Sequence, residues 1–134
     1  MAKLEAIEGI GDVYAQKLRE AGIPTIGALL EAGASRQGRK ELAEKADIGD
    51  ALILEWVNLA DLFRIKGVGE EYSDLLEEAG VDTVVELAQR NPENLYAKLV
   101  EVNAEKELVR RLPTQSQVSD WVAQAKALPR LVTY

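Results

Sequence analysis

One stretch of this chain is written twice. Residues 7–29 and 65–87 match at a constant offset of 58, with ten identities: Ile7/Ile65, Gly9/Gly67, Gly11/Gly69, Tyr14/Tyr72, Leu18/Leu76, Glu20/Glu78, Ala21/Ala79, Gly22/Gly80, Thr25/Thr83 and Leu29/Leu87. Other pairs exchange one aliphatic for another, as in Ile10/Val68, Ile23/Val81 and Ile26/Val84. Repetition this close within 134 residues restricts the fold to two copies of one structural unit.

The unit is helical. Apolar residues recur at three- and four-residue spacing, and no stretch alternates as a strand would. A short helix from about Ala2 to Glu8 leads into Gly9-Ile10-Gly11, and Asp12 opens a second helix with Tyr14, Leu18 and Ala21 on its buried face. Gly22 and Gly80 stand where a helix ends in the left-handed conformation. Thr25 and Thr83 cap the next helices, the second with Glu86 in a capping box. Ser35 opens a helix to about Ala46. Residues 50–64 are apolar nearly all round and read as a buried spine that enters the second copy. Asn91-Pro92 starts a helix to about Val102, followed by a short one from Asn103 to Arg111. Thr114 and Gln117 box the last helix, which stops before Pro129. Trp121-Val122 echoes Trp56-Val57 at an offset of 65, so the second copy carries about seven extra residues around 91–116. The expectation is an all-α fold of nine to ten short helices. Residues 1–64 and 65–134 form its two repeats, packed around the shared helix 50–64 as one compact unit.

Composition narrows the function. The chain lacks cysteine and histidine, so a disulfide framework, a thiol nucleophile, a zinc site and the usual general base are all missing. No catalytic residue, metal or cofactor is expected. No apolar run approaches membrane-spanning length and no signal-peptide core opens the chain, so the expected protein is soluble and cytoplasmic. Net charge is -7, divided as 8 basic and 11 acidic side chains in residues 1–64 and 8 and 12 in residues 65–134. That evenly spread acidity runs against the basic footprint of a duplex binder.

A Gly-aliphatic-Gly turn between helices exposes backbone N–H groups at a helix start, where the dipole favours an anion. Residues 7–18 (Ile-Glu-Gly-Ile-Gly-Asp-Val-Tyr-Ala-Gln-Lys-Leu) resemble a helix-hairpin-helix motif, as do residues 65–76. The extension Ala21-Gly22-Ile23-Pro24-Thr25-Ile26 is similar to the same (SAM-like) fold in the C-terminal domain of the RNA polymerase alpha subunit. The whole chain resembles a bacterial family of uncharacterised tandem helix-hairpin-helix proteins with no assigned reaction. Related domains in polymerases, ligases and nucleases hold DNA by its backbone.

The resemblance implies a non-catalytic module that grips phosphate weakly and without reading sequence. The implied contacts are the amides of Gly9, Ile10 and Gly11 with Lys17 and Arg19 in the next turns, and those of Gly67, Val68 and Gly69 with Lys66. Repeat 2 departs from the pattern by offering Glu70, Glu71, Asp74, Glu77 and Glu78, which repel phosphate; Asp12 does so in repeat 1. Trp56, Trp121, Tyr14 and Tyr72 are expected in the core. Arg36, Arg39, Lys40 and Arg110-Arg111 are ordinary surface cations that would at most supplement a binding face. Glu70, Asp74 and Glu78 share one helix face, but a single stripe is not a metal cage.

The alternative is an acidic protein-interaction module that keeps the hairpins and has abandoned DNA. It would be a monomer or a homodimer, and the Trp121 helix would close on the N-terminal helix of its own or another chain.

Overall fold

The computed structural model describes residues 3–134. Among these the chain is all-helical. One 3-10 turn, Leu4–Ala6, precedes eight α-helices: α1 Asp12–Glu20, α2 Ile26–Gly33, α3 Arg36–Ala46, α4 Asp50–Leu62, α5 Glu70–Glu78, α6 Val84–Ala88, α7 Pro92–Lys106 and α8 Gln115–Ala127. The count falls below the nine to ten expected for local reasons. Ala2, where the first helix was expected to start, lies outside the described residues, and Leu4–Ala6 makes only a 3-10 turn. The separate helix expected at Asn103 is the end of α7, which runs on to Lys106 and stops at Glu107 with φ 51°. Beyond it the chain is irregular. Asn103 secures that stretch by accepting from Val109 N at 2.9 Å and donating Nδ2 to its carbonyl at 3.2 Å.

The chain divides into two compact units. The first runs as far as Asp61 and includes Leu131–Tyr134; the second is Leu62–Arg130. No described helix is long and apolar enough to cross a membrane.

The same sequence signals build the same bonds in each unit. Ile10 N donates to Ile7 O and Val68 N to Ile65 O, both at 3.1 Å. Ile23 N reaches back to Leu18 O and Val81 N to Leu76 O, both at 2.9 Å. Those bonds close the helix ends at Gly22 and Gly80, whose φ values are 91° and 93°. Thr25 and Thr83 then cap α2 and α6 through Ala28 N and Glu86 N. Asn91 caps α7 ahead of Pro92, and Thr114 with Gln117 forms the reciprocal box on α8.

Each unit is sealed by a tryptophan. In the first, Leu4, Ile7, Leu18, Leu29, Ile53 and Trp56 are almost wholly buried, and Tyr14 meets the Trp56 ring edge-on at 5.0 Å. In the second, Ile65, Leu75, Leu76, Leu87, Leu99 and Trp121 do the same, with Tyr72 against Trp121 at 5.3 Å. The Trp121 helix therefore closes over the hairpin of its own unit. The reason is register: α4 starts at Asp50 and α8 at Gln115, the same spacing as Trp56 and Trp121. What α4 is to the first hairpin, α8 is to the second.

Candidate nucleic-acid interface

The turn at Gly9-Ile10-Gly11 divides its labour. Gly9 has φ 96°, a conformation that costs any residue with a β-carbon, whereas Gly11 is extended at φ -87° and serves as the N-cap of α1. Ile10 is buried and its N–H is spent on Ile7 O. Ile10 thus plugs the core and leaves the set of available donors, while Gly9 and Gly11 stay exposed.

No side chain caps α1 at Gly11 or α5 at Gly69. By contrast α2, α3, α6, α7 and α8 are each capped by a Ser, Thr or Asn oxygen. A β-carbon on Gly11 or Gly69 would meet nothing within 4 Å. The starts of the two hairpin helices are therefore bare, with first-turn N–H groups and the positive dipole end facing outward.

The two cations nominated on α1 already have local partners. Lys17 Nζ donates to Asp47 O at 3.2 Å and lies 5.9 Å from the Tyr14 ring centroid. Arg19 Nη2 donates to Glu5 Oε1 at 2.7 Å. That hydrogen bond, more than bare charge attraction, holds the Glu5 carboxyl below its usual range and raises Arg19. Both contacts lie at the surface, where an ion pair such as Arg19–Glu5 contributes little; the Lys17 partner is a neutral backbone carbonyl.

The second hairpin repeats the backbone but not the surroundings. Gly67 has φ 95°, the Val68 N–H is spent on Ile65 O, and Gly69 is again an open N-cap. Glu70 and Glu71 occupy the first turn of α5. The Gln124 side chain clamps Lys66, accepting from its N–H at 2.8 Å and donating to its carbonyl at 3.1 Å. Further along α5, carboxylate oxygens of Asp74, Glu77 and Glu78 lie within 4.8 Å of one another. Lys106 Nζ sits 2.6 Å from Glu78, and that hydrogen bond raises the Lys106 pKa. The acidic cluster is thus partly neutralised from within.

One feature escaped the sequence reading. A groove of about 870 Å³ opens in the first unit, lined by Arg36, Gln37, Arg39, Lys40, Asp50, Leu54 and Tyr134. Arg39, expected at the surface, is 7% exposed. It donates to the carbonyls of Gly33 at 2.9 Å, Ala34 at 3.2 Å and Thr133 at 2.7 Å. Thr133 N also donates to Ala34 O at 2.8 Å, and Tyr134 Oη to Asn58 Oδ1 at 2.9 Å. These bonds set Leu131–Tyr134 against α3 and α4. Only the spacing of Arg36 and Lys40 hinted at the groove; nothing local marked Arg39 as buried or Tyr134 as its wall.

Two glycine turns, each sealed by a tryptophan and each followed by a helix start without a side-chain cap, characterise the described residues as an all-helical protein. The chain belongs to the family described as Domain of unknown function (DUF4332), which matches residues 8–128. No curated protein and no solved structure matches it.

Proposed function

We propose that this protein is a non-catalytic helix-hairpin-helix module whose first hairpin contacts nucleic-acid backbone weakly and without sequence preference. The observation that carries this reading is the bare start of α1. Gly11 provides room where a β-carbon would stand, no side chain occupies the first-turn N–H groups, and Lys17 and Arg19 follow within two turns. A phosphate oxygen suits such a site. Asp12 at the same helix start and a net charge of -7 hold the affinity down. Hairpin 2, with Glu70, Glu71 and the Gln124 clamp, serves the fold.

Fluorescence anisotropy against labelled duplex and single-stranded DNA tests the proposal. Two neutralised phosphates give a loss of roughly tenfold between about 50 and about 200 mM salt. Lys17→Glu is expected to abolish the signal while leaving the circular dichroism unchanged. Absence of saturable binding at low salt sinks the proposal. The acidity then favours the second reading, a protein partner recognised through the same scaffold.

A further inference from the structure

We infer that the groove of the first unit is a second anion site, and that its ligand is a nucleoside 5′-phosphate. It can be the end of a single strand or a free mononucleotide. The inference deepens the nucleic-acid reading but rests on different residues.

Arg36 and Lys40 lie four apart on α3 and so project from one face of it. Both are exposed, and among the described residues neither has an acidic partner at salt-bridge distance. Ser35 already caps the start of α3 through Gly38 N, so the positive charge offered to an anion is that of the Arg36 and Lys40 side chains. Tyr134, 59% exposed, also lines the groove. Its ring is held from two directions: the Arg39 guanidinium lies 5.6 Å from the ring centroid, and its hydroxyl is bonded to Asn58. A ring fixed this way is a stacking platform whose ordering cost is already met, and base stacking on aromatics tolerates any base. Leu54 adds an apolar contact, and the Asp50 carboxylate accepts from a sugar hydroxyl. The volume of about 870 Å³ lies within the range for small-ligand sites. One anionic head, one planar ring and one hydroxyl-bearing linker match these donors, acceptor and platform.

The test is a titration of the full chain followed by amide and side-chain chemical shifts. The probes are AMP, adenosine, ribose 5-phosphate, and a thymidine hexamer with and without a 5′-phosphate. AMP is expected to perturb Arg36, Gln37, Lys40 and Tyr134 in a saturable way. Adenosine and ribose 5-phosphate, each missing one half, should bind at least about tenfold more weakly. Arg36→Glu and Lys40→Glu, both surface changes, should each remove the AMP response. Tyr134→Leu should remove the preference of AMP over ribose 5-phosphate. If the phosphorylated hexamer binds at least as tightly as AMP, the natural source is a strand end; if only AMP binds, it is a free nucleotide. No saturable shift with AMP or either hexamer at about 10 mM overturns the inference. So does a response confined to hairpin 1 that survives Arg36→Glu and Lys40→Glu. In that last case duplex binding sensitive to Lys17→Glu would persist, and the hairpin proposal would stand without the groove.

Discussion

The indole of Trp56 closes over Gly9, so that a β-carbon on that glycine would lie 3.3 Å from Nε1. Trp121 stands over Gly67 in the same way, at 3.1 Å. Both glycines also have φ near 95°. Alanine at either position combines backbone strain with pressure on a tryptophan that is 1% exposed. Gly9→Ala and Gly67→Ala should each cost about 1–3 kcal/mol, read as a lowered midpoint in urea. A midpoint unchanged in both would mean that the turn does not depend on this closure.

The neighbouring glycines should behave oppositely. Gly11 and Gly69 are extended N-caps with open space around the missing β-carbon. Serine there can accept from the bare first-turn N–H groups of α1 or α5. Gly11→Ser and Gly69→Ser should therefore stabilise by a few tenths of a kcal/mol. A loss above about 1 kcal/mol in either would contradict the cap geometry. Gly11→Ser should also weaken any phosphate contact at hairpin 1, because its hydroxyl occupies the N–H groups the phosphate needs.

These pairs show how far the sequence could be read. Repetition at an offset of 58 located both turns, and the caps at Thr25, Thr83, Asn91 and Thr114 came from local chemistry that works in any context. The roles of Gly9 and Gly11 could not be separated, because both read simply as glycine until the tryptophan above one of them is placed. Arg39 read as a surface cation since its partners, Gly33, Ala34 and Thr133, are backbone carbonyls that no side-chain pattern announces. Asn103 looked like a helix boundary; its side chain instead serves Val109 from inside α7. Local signals were legible, and long-range hydrogen bonds to backbone were not.

Arg39 supplies the third prediction. It satisfies three carbonyls with a guanidinium that is nearly out of water. Arg39→Ala would remove the guanidinium donor from the buried Gly33 carbonyl and loosen Leu131–Tyr134, which it ties down through Thr133 O. The expected cost is about 2–4 kcal/mol, well above that of a surface cation. Hydrogen exchange at Thr133 N, which donates to Ala34 O, should accelerate at the same time. Loss of stability without that acceleration would place the Arg39 contribution elsewhere.

Acid should erase one specific contact. The folded-state pKa of Glu5 is lowered, chiefly by its hydrogen bond from Arg19. A lowered carboxylate contributes stability above its unfolded pKa and loses it as pH falls through the folded one. Glu5→Gln should therefore melt slightly below the parent at neutral pH, and the two melting curves should converge below the usual glutamate value of 4.5. The pair is exposed, so the gap is small and should shrink in salt. A gap that persists under acid would assign the effect to something other than this carboxylate.

The last prediction concerns why the second hairpin is held differently from the first. Gln124 on α8 forms two hydrogen bonds with the backbone of Lys66, and its amide is steadied by Asp120 Oδ2 at 2.8 Å. At the α8-to-α4 spacing of 65, the matching residue is the buried Leu59, so hairpin 1 has no such clamp from α4. Gln124→Met keeps the length of the side chain and removes both bonds. Lys66 is exposed, so water can replace them, and the cost should be only about 0.5–1.5 kcal/mol. The more telling readout is local. Lys66 N should exchange faster, whereas Val68 N, bonded to Ile65 O within the turn, should keep its protection. Loss of protection at both would mean that Gln124 holds the entire turn rather than its entry. Unchanged protection at Lys66 would show the clamp to be dispensable, leaving Trp121 over Gly67 to hold hairpin 2 unaided.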